Sequence, residues 1–223
     1  LELELGPYGT ASQLQQRPAP EGGGLFKREW FEIVDAAPVS ATRARGWDIA
    51  ATEGGGNWTA GVKIARAERM FYVEDVRRGQ WSPAGVEAEM LAAAGADGRA
   101  CAQREEQEPG SSGKTVVASR ARLLVGYDYR GVPASGDKVT RAGPFRAQCE
   151  AGNVRLVRGP WNEAYLRELA FFPAGANKDQ VDASSNAFND LAGRRAVSAG
   201  APASVTKAPA SPSGAHNPRG WKL

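Results

Sequence analysis

Histidine and cysteine are scarce in this chain of 223 residues, which has one His and two Cys. The histidine, His216, lies in a stretch dominated by Ala, Pro, Ser and Gly. Ser-His-Asp and Cys-His catalysis and His-ligated zinc all need an imidazole at a folded site, so these chemistries are excluded. Cys101 and Cys149 supply neither a disulfide framework nor a four-cysteine zinc site. No run approaches the roughly 20 apolar residues of a membrane span. The opening Leu1-Glu2-Leu3-Glu4-Leu5 lacks the regions of a secretory signal, so a cytosolic protein is expected. It begins without Met and is expected to be part of a longer chain. Catalysis must then run on carboxylates, lysines or hydroxyls. Mg2+ suits such oxygen donors.

Charge and composition divide the chain. Arg195–Leu223 carries four basic residues and no acidic one; without it, 24 basic residues face 25 acidic ones. Such a segment buries too little apolar surface to offset its ordering entropy, so residues 195–223 are expected to be a disordered basic tail. Gln16-Arg17-Pro18-Ala19-Pro20 and Gly22-Gly23-Gly24 break regular structure. Residues 1–40 read as a lead-in, with the aromatic segment Leu25–Phe31 docking on a domain that spans 41–194.

Within that domain the hydrophobic period changes once. Strands are expected within Thr42–Thr52, over Thr59–Arg66 and over Met70–Arg77. Short turns between them favour an antiparallel meander. Ser82-Pro83 then reads as an N-cap with proline at the first helical position, opening a helix to about Ala94. A polar strand over Ala100–Glu106 follows, then a helix over Lys114–Leu124. A strand near Val154–Val157 and helices over Trp161–Phe171 and Lys178–Ala192 complete the series. This order describes an α/β protein with an RNase H-like mixed sheet, an antiparallel meander followed by parallel strands, flanked by helices.

Three acidic positions are candidates for chemistry. Asp48 interrupts an apolar strand, where a carboxylate is costly unless paired or bound to metal. Glu105, Glu106 and Glu108 lie where a strand gives way to a loop, the place where such sheets bind ligands. Asp179 and Asp182 open the last helix and fall on one side of it, opposite Val181, Phe188 and Leu191. Each also has a plain structural reading: a satisfied strand aspartate, a solvated loop, and acids favoured by the helix dipole. Glu108–Thr115 imitates a phosphate-binding loop, but a glutamate stands where the first glycine belongs, so no nucleotide is expected to bind there. Lys114 can still meet a DNA phosphate, and Lys138, Arg141 and Arg146 are further candidates for phosphate contact.

Taken in order, Gln15–Pro20, Gly24–Phe31, Arg45–Thr52, Glu106–Ser111, Gly136–Ala142 and Lys178–Ala183 resemble the C-terminal nuclease domain of the large terminase subunit of tailed bacteriophages. The resemblance implies a metal-dependent endonuclease cutting double-stranded viral DNA during packaging, with two Mg2+ or Mn2+ ions. It implies metal ligation by Asp48, Glu106 and Asp179, with Asp182 auxiliary, and DNA contact by Lys138 and Arg141. It also implies an ATPase domain upstream, a small terminase subunit and a portal or procapsid as partners, and work in the host cytoplasm. Asn177-Lys178-Asp179 departs from the family, which often has paired aspartates after a histidine; this leaves the roles of Asp179 and Asp182 open. Two other readings stand: a non-catalytic DNA- or portal-docking module with the same fold, and another RNase H-like enzyme such as a resolvase or transposase.

Overall fold

The computed structural model describes residues 24–50, 54–134 and 136–194. The expectations for the lead-in before Gly24, for Ala51-Thr52 and for the basic tail lie outside these residues. A short 3-10 turn, Arg28–Trp30, precedes strands β1 (Glu32–Val34), β2 (Thr42–Asp48), β3 (Thr59–Ala67) and β4 (Met70–Gly79). Then follow α1 (Pro83–Asp97), β5 (Ala102–Gln107), α2 (Ser111–Leu123), β6 (Tyr129–Pro133), α3 (Lys138–Glu150), β7 (Val154–Val157), α4 (Asn162–Phe171) and α5 (Asp179–Gly193).

The seven strands form one sheet in the order β1-β7-β4-β3-β2-β5-β6. β2, β3 and β4 make the expected antiparallel meander. β5 adds parallel to β2, β6 parallel to β5, and β7 parallel to β4. Strands β1 and β6 and helix α3 are additions to the sequence reading. β1 lies within the lead-in and pairs parallel with β7. Phe26, just upstream, is buried against Phe145 and Phe172. Part of the lead-in thus belongs to the sheet and its core.

The pleat of β2 sorts its residues between two helical layers. Ala44 joins a core with Ala60, Val62, Ile64, Val73 and Ala102 under α3, α4 and α5. Trp47 faces the opposite way and packs with Val86, Met90, Ala93 and Ala94 of α1. Gly46 lies on the α5 side, where a Cβ would stand 2.0 Å from the Ala183 carbonyl oxygen. Only glycine allows α5 this close to the strand. Ser82 caps α1 as its sequence suggests, its hydroxyl accepting from Gly85 N–H.

α5 departs from the amphipathic reading. Every residue from Asp179 to Phe188 is buried, so its first turns have no solvated face. The helix runs between β2, β3 and β5 on one side and α3 and α4 on the other. Three polar side chains on it have internal partners: Ser184 and Ser185 donate to the carbonyls of Gln180 and Val181, and Asn186 Nδ2 donates to Trp47 O at 3.2 Å. The aspartates are therefore buried with the helix that carries them.

β5 shows why a polar strand can be central. Gln103 accepts from the Trp47 indole at 2.9 Å, and Arg104 pairs with Asp128 and Asp190. Each buried polar side chain has a partner, as burial demands.

Candidate active site

Asp48 ends β2, and Glu106 lies one step further along the parallel neighbour, since Trp47 stands opposite Glu105. The strand alternation puts Glu106 on the α5 side and Glu105 on the other. Glu105 is committed there: it pairs with Arg120 and accepts from the Tyr129 hydroxyl at 2.7 Å. Glu108 is exposed in the loop after β5. Of the three neighbouring glutamates, Glu106 is the one that joins Asp48.

The first turn of α5 brings Asp179 and Asp182 to the same place. Lys138, the first residue of α3, links the elements: its ammonium pairs with Asp182 and lies 3.7 Å from Asp48. Arg141, one turn on, donates to both oxygens of Glu106 at 3.0 and 3.2 Å and stands 3.5 Å from Asp182 Oδ1. Asp137 caps α3 by accepting from Thr140 N–H at 2.9 Å, which fixes where Lys138 begins the helix. Lys114 sits exposed on the first turn of α2 and makes no ion pair among the described residues. Arg146 points away from the cluster, donating to Leu25 O and pairing with Glu150.

The electrostatics of the cluster are those of crowded acids. Burial first, and then the charges of Asp182, Glu106 and Asp179, push the Asp48 carboxyl up to about 7 although Lys138 pulls it down. Asp179 is also raised by burial, against the pull of Lys138 and Arg78. For Lys138, burial works against its charge, but Asp48, Asp182 and Glu106 outweigh it and raise its pKa. Two carboxylate oxygens, Asp179 Oδ2 and Asp182 Oδ1, are buried with no hydrogen bond. Such groups are costly to leave unsatisfied.

Two supports for the site were not visible in the sequence. Glu168 of α4 reaches the start of α5, where its carboxylate accepts from Gln180 N–H at 2.6 Å and Gln180 Nε2 at 2.5 Å. It replaces the missing side-chain cap, since Lys178 provides none. Arg78 of β4 lies 3.6 Å from Glu168 and stacks on Trp58 at 4.2 Å from the ring centroid. Contacts between residues so far apart in sequence carry no local motif.

The terminase RNaseH-like domain family matches residues 45–191. The chain belongs to this family. Its fold resembles the large terminase nuclease of thermophilic phage G20c, solved with bound magnesium, with a TM-score of 0.58 at 12% identity, covering 76% of this chain and 98% of that one. The P22 large terminase nuclease domain gives a TM-score of 0.55 at 12% identity, with 75% and 96% covered. The human cytomegalovirus terminase nuclease domain, soaked with manganese and bound to an inhibitor, gives 0.55 at 10% identity, with 75% and 95% covered. No curated protein matches the sequence. The family and these neighbours establish a terminase nuclease fold, and the acidic cluster lies within the matched residues.

The residues present suit a hard divalent cation. They are oxygen donors, they carry excess negative charge, and two of their buried oxygens have no hydrogen bond. Among the described residues no three acidic, His or Cys side chains stand close enough to form a ready cage. The Lys138 ammonium and the Arg141 guanidinium lie among these carboxylates and neutralise part of their charge.

Proposed function

We propose that this chain is a metal-dependent endonuclease that hydrolyses phosphodiester bonds of double-stranded viral DNA during genome packaging. The observation that carries this reading is the gathering of Asp48, Glu106, Asp179 and Asp182 from two strand ends and a buried helix, with two carboxylate oxygens left without a hydrogen bond. Asp48, Glu106 and Asp179 would hold Mg2+ or Mn2+, with Asp182 beside them. A pair of such ions, when bound, activates water and stabilises the leaving oxygen of a phosphodiester.

The chain's own residues have defined tasks in this scheme. Burial of α5 fixes Asp179 and Asp182 in place, and Glu168 holds the first turn of that helix. Lys138 and Arg141 hold the carboxylates together and supply positive charge for the DNA backbone. Exposed Lys114 adds a phosphate contact at the rim. By the same reading the chain works with an ATPase motor, a small terminase subunit and a portal, in the host cytoplasm. Among the described residues no helix is long and apolar enough to cross a membrane.

One observation favours a second reading, a DNA- or portal-docking module that has kept the fold. Lys138 already occupies the space between Asp48 and Asp182 as a cation of the chain itself. Family membership argues against the resolvase and transposase alternatives. The test is supercoiled plasmid incubated with the chain and Mg2+ or Mn2+, beside EDTA and Asp48→Ala. Nicking or cutting that needs both metal and Asp48 is the expected result. DNA binding without cutting under every metal condition would favour the docking module.

A further inference from the structure

The register of the sheet places a cation in line with Asp48. Asp48 stands opposite Ala60 of β3, and Ala60 stands opposite Arg78 of β4. Directly paired residues share a face, so Asp48, Ala60 and Arg78 form one row on the α5 side of the sheet. Two strand spacings of about 4.8 Å put Arg78 roughly 10 Å from Asp48 along that row. Its charge reaches Asp179 as well.

The surroundings of Arg78 hold it by a ring contact and an ion pair, without a hydrogen bond to its Nε or Nη2. Its guanidinium lies on the Trp58 indole, 4.2 Å from the ring centroid. A cation over a ring face is held there by the ring's quadrupole. Nε and Nη2 are buried and have no hydrogen-bond partner. Glu168, the nearest carboxylate at 3.6 Å, already has both oxygens accepting from Gln180. The side chain remains 21% exposed. An arginine over an aromatic ring and beside an acidic centre, with part of its side chain still open to solvent, can meet a phosphate there.

We propose that Arg78, held over Trp58, binds a backbone phosphate of the DNA strand to one side of the bond that is cut. This rests on the nuclease reading above and adds a substrate subsite on the β3–β4 side, away from Lys138 and Arg141. A purely structural Arg78 would brace Glu168 and α5 without meeting DNA.

Binding of a short fluorescent duplex in EDTA, titrated over a range of salt, separates these roles. Removal of one phosphate contact lowers the slope of log K against log salt by about 0.9 and weakens binding to all sequences alike. Arg78→Ala and Arg78→Gln are expected to show that loss, and Arg78→Lys to keep the slope. In cleavage with Mn2+, Arg78→Lys is expected to raise KM more than it lowers kcat. If Arg78→Ala does not fold, the Gln and Lys variants decide alone, because they differ in charge while keeping a long polar side chain. Equal slopes in wild type and Arg78→Gln would overturn the proposal, even if cleavage were lost. A wild-type chain that binds DNA and never cuts would overturn the nuclease reading while leaving the Arg78 subsite intact if the slope still falls in Arg78→Gln. A wild-type chain that does not bind the duplex even at low salt would overturn both.

Discussion

Two of the charged side chains of strand β2, Arg45 and Asp48, stand three residues apart and live in opposite worlds. Arg45 faces α1, is 1% exposed, and is fully occupied: it donates to Asp97 at 2.7 and 3.0 Å, to Asp75 at 2.7 Å and to Gly61 O at 2.9 Å. Lys63 adds a second cation to Asp97. Asp48 faces α5 among three other acids, two of which have an oxygen without a hydrogen bond. The carboxylates record the difference. Burial opposes ionisation of Asp97, but the hydrogen bonds and charge of Arg45, with Lys63, hold its pKa below the usual value. Asp48 is pushed up to about 7. The first cluster is closed and serves the fold. The second is left short of positive charge, as the proposed metal site requires.

The comparison is most easily broken at Arg45. Arg45→Ala leaves Asp97 buried with its main partner gone and is expected to cost about 3–5 kcal/mol in a denaturant titration. Any loss of DNA cleavage should follow the loss of folded protein. Asp48→Asn should do the reverse. Cleavage is expected to fall by at least about a hundredfold in single-turnover assays, while far-UV circular dichroism is unchanged. Comparable unfolding by both variants would erase the distinction between the clusters.

The pH dependence sharpens it. The folded-state pKa of Asp48 lies above its unfolded value of about 3.9, so the metal-free native state holds the extra proton between about pH 4 and 7. Its cost to stability therefore grows as pH rises through that window. Asp48→Asn should gain stability over wild type there, on the order of 1–3 kcal/mol by pH 7.5, measured in EDTA. Asp97 has the opposite sign, its pKa being depressed. Its stabilisation is present above about pH 4 and is lost as pH falls through its lower folded value. The destabilisation caused by Asp97→Asn should accordingly shrink on acidification. The smallest effect is expected at Glu168→Gln, which weakens the cap on α5 by about 1 kcal/mol in thermal unfolding. Cleavage should fall more than that stability loss explains, because the same turn carries Asp179 and Asp182.

The same contrast explains what the sequence could reveal. The meander, α1 with its Ser82 cap, and β5, α2, β7, α4 and α5 were legible because hydrophobic period and turn residues report them locally, whereas α3, the helix of Lys138 and Arg141, was not read. The short strands β1 and β6 were not, being three and five residues stabilised by parallel neighbours rather than by their own pattern. Asp48, Glu106, Asp179 and Asp182 stood out as acids in apolar or strand-end settings, and the structure brings these four together. Register decided between Glu105 and Glu106, and register comes from pairing with β2, which no single strand shows. The burial of α5 on all sides was hidden because Ser184, Ser185 and Asn186 look like a solvated face until their internal partners are known. Glu168 and Arg78 act through contacts across the fold and leave no trace in local spacing.

The central claim is that the cluster around Asp48 is short of cation and the cluster around Arg45 is not. Thermal unfolding of wild type, Asp48→Asn and Asp97→Asn in EDTA and in a Mn2+ titration tests it most directly, since a ligand bound only by the native state raises its stability. We expect Mn2+ to raise the Tm of wild type and Asp97→Asn in a saturable manner, and to leave Asp48→Asn nearly unmoved. An equal rise in wild type and Asp48→Asn, or no rise in any of the three, would contradict the account.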